Sequence, residues 1–378
     1  MSRLSLLALL PFLLAPTGCS HDLWLESGPV ESDAPSACVE SIQEGLLALT
    51  YGRPSLSATV GGFLLAAVFD GSVDGEDCRG PATISVDEDG RLSSACRGAF
   101  DDRDDSSMPT ALALSTGGVA VLLNGWEGSG GGLWLRVVSR AGGTPPPVAL
   151  VDGYGPIFGS GLVVEEPSGD LLVAWKDVPE GGGGEGFLRL RRFSAVDVSP
   201  LGERPVTLPD RTVWWPAAIQ PVDDGVAVAW IPVDGESVHV VRLASDLSIA
   251  ATVEIPVDPR SDRAIGIPSL AVREARLALA WLQTRDAVGQ HVELALIDGT
   301  TVAVRGRWEP SVIPSPADMC RIAIQEVGAF GWAALWATST GSTLFARFSD
   351  EDLLAIGPPP AELAAEPCGQ HGLAMAWN

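Results

Sequence analysis

Leu277-Ala278-Leu279-Ala280-Trp281 is one of seven segments that share a frame: a large apolar residue leads, and an aromatic or bulky residue closes four positions later. Its clearest counterparts are Leu171-Leu172-Val173-Ala174-Trp175, Val226-Ala227-Val228-Ala229-Trp230, Trp332-Ala333-Ala334-Leu335-Trp336 and Leu373-Ala374-Met375-Ala376-Trp377. Leu65 to Phe69 and Val119 to Leu123 fit without tryptophan. The closing positions 69, 123, 175, 230, 281, 336 and 377 lie 54, 52, 55, 51, 55 and 41 residues apart. Alanine follows the leading residue in every copy except the one with Leu172. Side chains alternate faces along a strand, so each segment predicts a strand with one bulky face and one small face.

Such a period is typical of one propeller blade. Wedge-shaped sheets around an axis need such a taper, because facing strands crowd together near the channel. The expected fold class is therefore all-β, a β-propeller of four-stranded antiparallel blades, with the tryptophans packing between blades. The fifth copy serves as template. Pro268 to Arg273 forms its inner strand, Arg276 to Trp281 the second and His291 to Ile297 the third. An Asp298-Gly299 turn then leads to Thr301 to Arg307. The fourth copy follows with Val238 to Ala244, a turn near Ser245-Asp246, and Thr252 to Val257. Seven blades are expected, with six as the alternative. The last copy stops after its second strand, so Cys38 to Gln43 and Leu46 to Tyr51 are expected to complete it and close the ring, removing exposed sheet edges.

Residues 1–18 read as an export signal, with Arg3 before an apolar run from Leu4 to Ala15 that is too short to span a bilayer. Gly18-Cys19 resembles the lipobox of bacterial lipoproteins, which implies acylation of Cys19 and, with Ser20 next, outer-membrane or cell-surface localisation. Pro16 departs from that pattern, which leaves ordinary cleavage and a periplasmic or secreted protein as the alternative. Residues 19–36 then form a tether and 37–378 a single propeller domain.

A net charge of -24, from 48 acidic and 24 basic residues, excludes nucleic acid or anionic lipid as a partner through bulk electrostatics. Contact with a membrane is expected through the lipid anchor only, and the protein is expected to be a monomer. With Cys19 acylated, five cysteines remain in an oxidising compartment. Cys78 with Cys96, across one predicted hairpin, and Cys320 with Cys368, in adjacent copies, are the disulfide candidates. Cys38 is left over, or competes for Cys368.

In a propeller the loops from strand two to three, and from strand four to the next blade, emerge on one face. Those spanning Asp70 to Cys78, Asp101 to Ser107, Gly125 to Gly132, Gly181 to Gly186, Pro209 to Trp215 and Asp258 to Arg263 are the long ones here. Binding residues concentrate on such loops. Trp214 and Trp215 beside Arg211, with Arg260 and Arg263, offer stacking surfaces and anion contacts, and are the ligand-binding candidates. The alternative is that the tryptophans cap the core and the arginines meet surplus carboxylates. Asp70, Ser72 and Asp74 resemble the start of a calcium loop, with Pro81 where the closing glutamate belongs. No cofactor other than this calcium is expected. Ser85-Val86-Asp87-Glu88-Asp89-Gly90 has a faint likeness to the Asp-box of sialidases, but lacks its aromatic residue and its spacing and occurs once. His239 and His291 fall on third strands of neighbouring blades, and two histidines without a local carboxylate pair make neither a metal site nor a triad.

The chain resembles exported bacterial propellers in general, through its Ala-Trp strand and hairpins such as Arg242-Leu243-Ala244-Ser245-Asp246, and lacks the diagnostic dipeptides of Kelch and WD repeats. The expectation is a non-catalytic envelope lipoprotein that binds a protein or glycan through its loop face. The alternatives are a glycosidase or sialidase-like hydrolase, which requires carboxylates converging at the channel mouth, and a purely structural envelope component.

Overall fold

The structure is a computed structural model. It describes residues 48–49, 55–59, 62–73, 76–87, 97–98, 106–116, 118–125, 132–138, 146–151, 162–177, 185–212, 218–223, 225–257, 263–285, 289–308, 319–326, 331–338, 342–349, 351–353 and 355–365. Among them every regular element is a β-strand, and the strands form six antiparallel sheets in chain order. The first holds β1 (Ala48–Leu49), β2 (Ser55–Thr59), β3 (Gly62–Val73), β4 (Glu76–Asp87) and β5 (Arg97–Gly98). The second holds β6 (Ser106–Ala113), β7 (Val119–Gly125), β8 (Gly132–Val138) and β9 (Val148–Val151). The third holds β10 (Leu162–Glu165), β11 (Leu171–Asp177), β12 (Gly186–Phe193) and β13 (Pro200–Thr212). In the fourth are β14 (Ala218–Val222), β15 (Gly225–Trp230), β16 (Ser237–Ala244) and β17 (Ile249–Pro256). The fifth comprises β18 (Arg263–Arg273), β19 (Arg276–Arg285), β20 (Gly289–Asp298) and β21 (Thr301–Trp308), and the sixth β22 (Met319–Glu326), β23 (Trp332–Thr338), β24 (Ser342–Phe348) and β25 (Ala355–Ala365).

From the second sheet to the sixth, each is a meander whose strands pair in sequence order. The first strands touch in series, β2 to β6, β6 to β10, β10 to β14, β14 to β18 and β18 to β22. Sheets stacked through their innermost strands are the blades of a propeller. The fold is thus an all-β propeller of four-stranded antiparallel blades.

The taper read from the repeat is what joins one blade to the next. Ala227 and Ala229 on the small face of the fourth blade pack against Leu277, Leu279 and Trp281 on the bulky face of the fifth. Leu172 and Ala174 of the third meet Val226, Val228 and Trp230 of the fourth, and Ala120 and Leu122 of the second meet Leu171, Val173 and Trp175 of the third. Trp175, Trp230 and Trp281 are all buried. Their role between blades is structural.

A second repeated device lies in the turns from strand three to strand four. Val198, Leu247 and Leu353 take left-handed backbone angles, φ 58°, 64° and 56°, that bulky residues seldom adopt. Each is buried in the core shared with the preceding blade. The aspartate before Val198 and before Leu247 fixes the turn, whereas Asp352 before Leu353 accepts from Ser349 Oγ. Asp246 Oδ1 accepts hydrogen bonds from Ser248 N at 2.9 Å and Ser248 Oγ at 2.5 Å, and Asp197 Oδ1 accepts the same pair from Ser199. Burying the apolar plug offsets the backbone strain.

Three expectations are corrected by the strand pairing. Asp70 to Cys78 is not a loop, since β3 and β4 run on as one hairpin with Gly71 opposite Cys78 and Val73 opposite Glu76. Ala48 and Leu49, expected in the last blade, pair instead with Asp70 and Phe69 of β3, on the stretch of that edge beyond Ala66, where the pairing with β2 stops. Pro209 to Thr212 belongs to β13 rather than to a loop. The closing copy Leu373 to Trp377, its expected partner Cys38 to Gln43, and the leader and tether with Cys19 lie outside the described residues.

Candidate functional site

The residue opposite each closing tryptophan on the third strand occupies an equivalent slot in successive blades. Arg189 faces Trp175, His239 faces Trp230, and Glu293 faces Trp281. An alternating pattern places each slot on the bulky face, toward the preceding blade. It also places them near the end of the blade from which strand two leads to strand three, the loop face. Among the described residues three polar clusters follow one another along this rim.

In the third blade, Arg189 is ion-paired with Asp177. Arg211, half exposed at the end of β13, lies 5.4 Å over the Phe187 ring and 3.6 Å from Glu185. Between the third and fourth blades, β13 bulges. Phe187 and Arg189 are two residues apart on β12, but their partners Arg211 and Thr207 are four apart. Asp210 within the bulge takes a left-handed φ of 65°. Bulges re-aim side chains, and Asp210 Oδ2 stands 3.1 Å from His239 Nδ1 of the next blade. The His239 ring meets the edge of Trp230 at 5.3 Å. Lys176, on the same face as Leu172 and Ala174, is buried at this interface, and burial holds its ammonium below the ordinary lysine range.

The cluster between the fourth and fifth blades is the most buried. Glu293 Oε2 accepts from Arg305 Nε at 3.0 Å, and Oε1 from Arg307 Nε at 3.1 Å. His291 Nε2 is 3.1 Å from the same Oε1 and 2.7 Å from Arg307 Nη2. Arg305 crosses to the fourth blade, donating from Nη1 to the Pro256 carbonyl at 2.8 Å, and its guanidinium lies 5.6 Å over the Trp281 ring. Burial by itself would raise the Glu293 carboxyl, but hydrogen bonds from His291 and Arg305 outweigh it and hold the group ionised, below the usual glutamate range. Opposite His291 in the ladder stands Gln283, 0% exposed, with neither amide oxygen nor amide nitrogen hydrogen-bonded.

Of the ligand-binding residues expected from sequence, Arg211 stands at the loop face as described, and Arg263 opens β18 opposite Thr284. Trp214, Trp215 and Arg260 lie outside the described residues. Asp70 and Ser72 occupy ladder positions opposite Arg79 and Asp77, and Asp74 lies outside the described residues. An extended ladder spaces alternate residues about 6.6 Å apart, which does not wrap a cation as a loop does. Among the described residues no group of three or more His, Cys, Asp or Glu side chains is placed to hold a metal. Cys96 and Cys368 also lie outside, so neither expected disulfide is placed. Arg97, the neighbour of Cys96, pairs with Thr83, five residues along β4 from Cys78.

Sequence reasoning did not single out Asp210, Gln283, Glu293, Arg305 or Arg307, and found no carboxylate for either histidine. The structure gives each histidine one, Asp210 for His239 and Glu293 for His291. The visible signal was two alternations, His291-x-Glu293 on a third strand and Arg305-x-Arg307 on the fourth strand beside it.

No protein-family model and no curated protein matches the chain. Among solved structures it is similar to a protein of unknown function from Dyadobacter fermentans, with TM-score 0.52 and 13% identity over 84% of this chain and 96% of that one. It is also similar to a GH43 protein of Bacillus licheniformis, with TM-score 0.43 and 10% identity, covering 85% of this chain but spanning only 58% of that protein. A neuraminidase-like protein from A/little yellow-shouldered bat/Guatemala gives TM-score 0.47 and 13% identity, over 79% of this chain and 95% of that one. At these identities the likeness is one of fold.

Proposed function

We propose that this chain is a non-catalytic, lipid-anchored protein of the bacterial envelope whose propeller binds a glycan or protein at its loop face, with Cys19 acylated and the blades held off the membrane by the tether. The observation that carries this reading is that the carboxylates named above, among the described residues of the rim, are each paired. Asp177 stands against Arg189, Glu185 against Arg211, Asp210 against His239, and Glu293 against two arginines and a histidine. Glycoside hydrolysis needs one carboxyl kept protonated and a second free to act on substrate or water. Glu293 is held ionised with both oxygens taken, which suits a scaffold better than an acid or base. Arg211, exposed on the Phe187 ring, is a ready contact for a ligand.

The test pairs binding with turnover. The full chain is titrated with a panel of envelope glycans and purified envelope proteins, and each glycan is also assayed for hydrolysis. Binding that weakens at least tenfold in Arg211→Ala, with an unchanged melting temperature, supports the reading. Hydrolysis that disappears in Glu293→Gln or Asp210→Asn overturns it in favour of the hydrolase. Cys19→Ala should move the protein from the membrane fraction to the soluble one.

A further inference from the structure

We propose that a cavity between the fifth and sixth blades binds an alkylguanidinium group, the chemistry of an arginine side chain. Glu351 and Asp298 are its anionic contacts, and Leu296 and Val304 form the floor for its stem. The cavity lies by the turns from strand three to strand four, opposite the loop face, and does not depend on the reading above.

The repeat supplies the first argument, because two earlier blades fill the matching space with an arginine of their own. Arg192 pairs with Leu172 and Arg242 with Ala227, the residues three places before Trp175 and Trp230. Both side chains cross to the next blade. Arg192 donates from Nη1 to the Ser245 carbonyl and from Nη2 to Glu166 Oε1 at 2.6 Å, and Arg242 donates from Nη2 to the Ala275 carbonyl at 2.7 Å. In the fifth blade the same register position, opposite Ala278, holds Leu296. Leucine has no such reach, and a cavity of about 240 Å³ is lined by Leu296, Ala303 and Val304.

The second argument is the group that stands across the interface. Ser245 lies two residues before the plug Leu247, and Glu351 holds the same place before Leu353 of the sixth blade. Where the arginine of the third blade finds a carbonyl oxygen, this cavity presents a carboxylate at its mouth, with Asp298 as a second. Both residues are exposed, and neither side chain makes an ion pair or hydrogen bond among the described residues. Arg276 also lines the cavity and is itself engaged, so two carboxylates against one guanidinium leave the lining negative by one charge. The second blade shows the contrast. Its matching residue, opposite Ala120, is Val137, and the corresponding turn residue of the third blade is Val196, so no carboxylate stands there.

Size and chemistry name the ligand. Small-molecule sites span roughly 300–1,000 Å³, so this cavity suits a single side chain. Leu296 and Val304 belong to the apolar core shared by the two blades and offer a surface for a methylene stem. A planar guanidinium then meets the carboxylates through paired hydrogen bonds.

The experiment is calorimetric titration of the full chain with butylguanidinium and with a blocked tripeptide carrying one arginine between two alanines. Butylammonium and pentanol serve as the other cation and the neutral probe. Butylguanidinium should bind severalfold more tightly than either, and lose affinity as salt is raised. Peptide binding as tight as that of butylguanidinium assigns the site to an arginine of a partner protein, whereas exclusion of the peptide assigns it to a free guanidinium. Glu351→Gln and Asp298→Asn should each weaken binding severalfold without moving the melting temperature. Ala303→Phe, at the exposed residue bulged out of β21, should block the cavity and abolish binding. Leu296→Arg should abolish it as well, by supplying from the chain the group that the third and fourth blades already supply. If that variant fails to fold, Ala303→Phe carries the same test. No binding of butylguanidinium, equal binding of butylammonium or pentanol, or binding unchanged in Ala303→Phe overturns the proposal. None of these outcomes bears on the Arg211 test of the loop face.

Discussion

The fourth and fifth blades share strand order, a closing tryptophan on the second strand and an alanine face toward the next blade, yet they fill the slot opposite the tryptophan differently. In the fourth blade His239 faces one carboxylate, that of Asp210, whose side chain is 48% exposed. In the fifth, Glu293 is 5% exposed and gathers His291, Arg305 and Arg307. The apolar part of the repeat is what the fold requires, and it recurs. The polar slot at the loop-face end is not needed for blade packing, so it is where neighbouring blades are free to diverge in chemistry.

The common part should yield the largest effect. Trp281→Ala and Trp230→Ala each empty an inter-blade core, and each should cost about 3–5 kcal/mol in denaturant unfolding. The two values should agree closely, because both rings seat on equivalent faces and both are buried. If either change costs less than about 1 kcal/mol, that ring is not core and the two blades are not equivalent where the repeat says they are.

The residues that make the blades alike were legible, and those that make them differ were not, for a physical reason. Tryptophan and alanine at fixed spacing report a face packed the same way in every copy, and the fifth-blade template agrees with the observed strands, with β18 and β19 running longer at the loop face. The Glu293 cluster depends instead on a register that no residue type announces. Asp298 pairs with Thr301 and Ile297 with Val302, but Leu296 then pairs with Val304, so one residue of β21 is bulged out. Without that bulge Glu293 would oppose Gly306, and both arginines would turn to the opposite face. The bulge in β13 that brings Asp210 to His239 is equally silent in the sequence. So is the left-handed plug, although Asp197-Val198-Ser199 and Asp246-Leu247-Ser248 do repeat as a motif in the sequence.

Acid should separate the two slots. The Glu293 carboxyl is held lower in the folded chain than in the unfolded one, so its contribution is complete above the unfolded glutamate range, near pH 4.3, and is lost as pH falls through its lower folded value. Glu293→Gln should therefore cost about 1–3 kcal/mol at pH 7, because two arginines lose their countercharge at a buried site. The gap between variant and parent should close as pH falls below about 4. Unfolding free energies measured from pH 7 down to pH 3 check this. A gap that stays constant across that range means the carboxylate is not the element that ties the cluster together.

The smallest effect should come from the fourth-blade slot. The Asp210 and His239 pair is part-exposed, so screening by water limits it to about 0.2–1 kcal/mol. Asp210→Asn keeps the left-handed backbone that asparagine tolerates and removes only the charge, so it should shift stability by no more than that amount at pH 7. The shift should shrink further in 1 M salt, where exposed pairs are screened. A loss as large as that of Glu293→Gln would show that the bulge, and not the ion pair, depends on the Asp210 carboxylate. The contrast between an open slot and a closed one would then lie in the backbone of β13 rather than in the side chains facing the tryptophans.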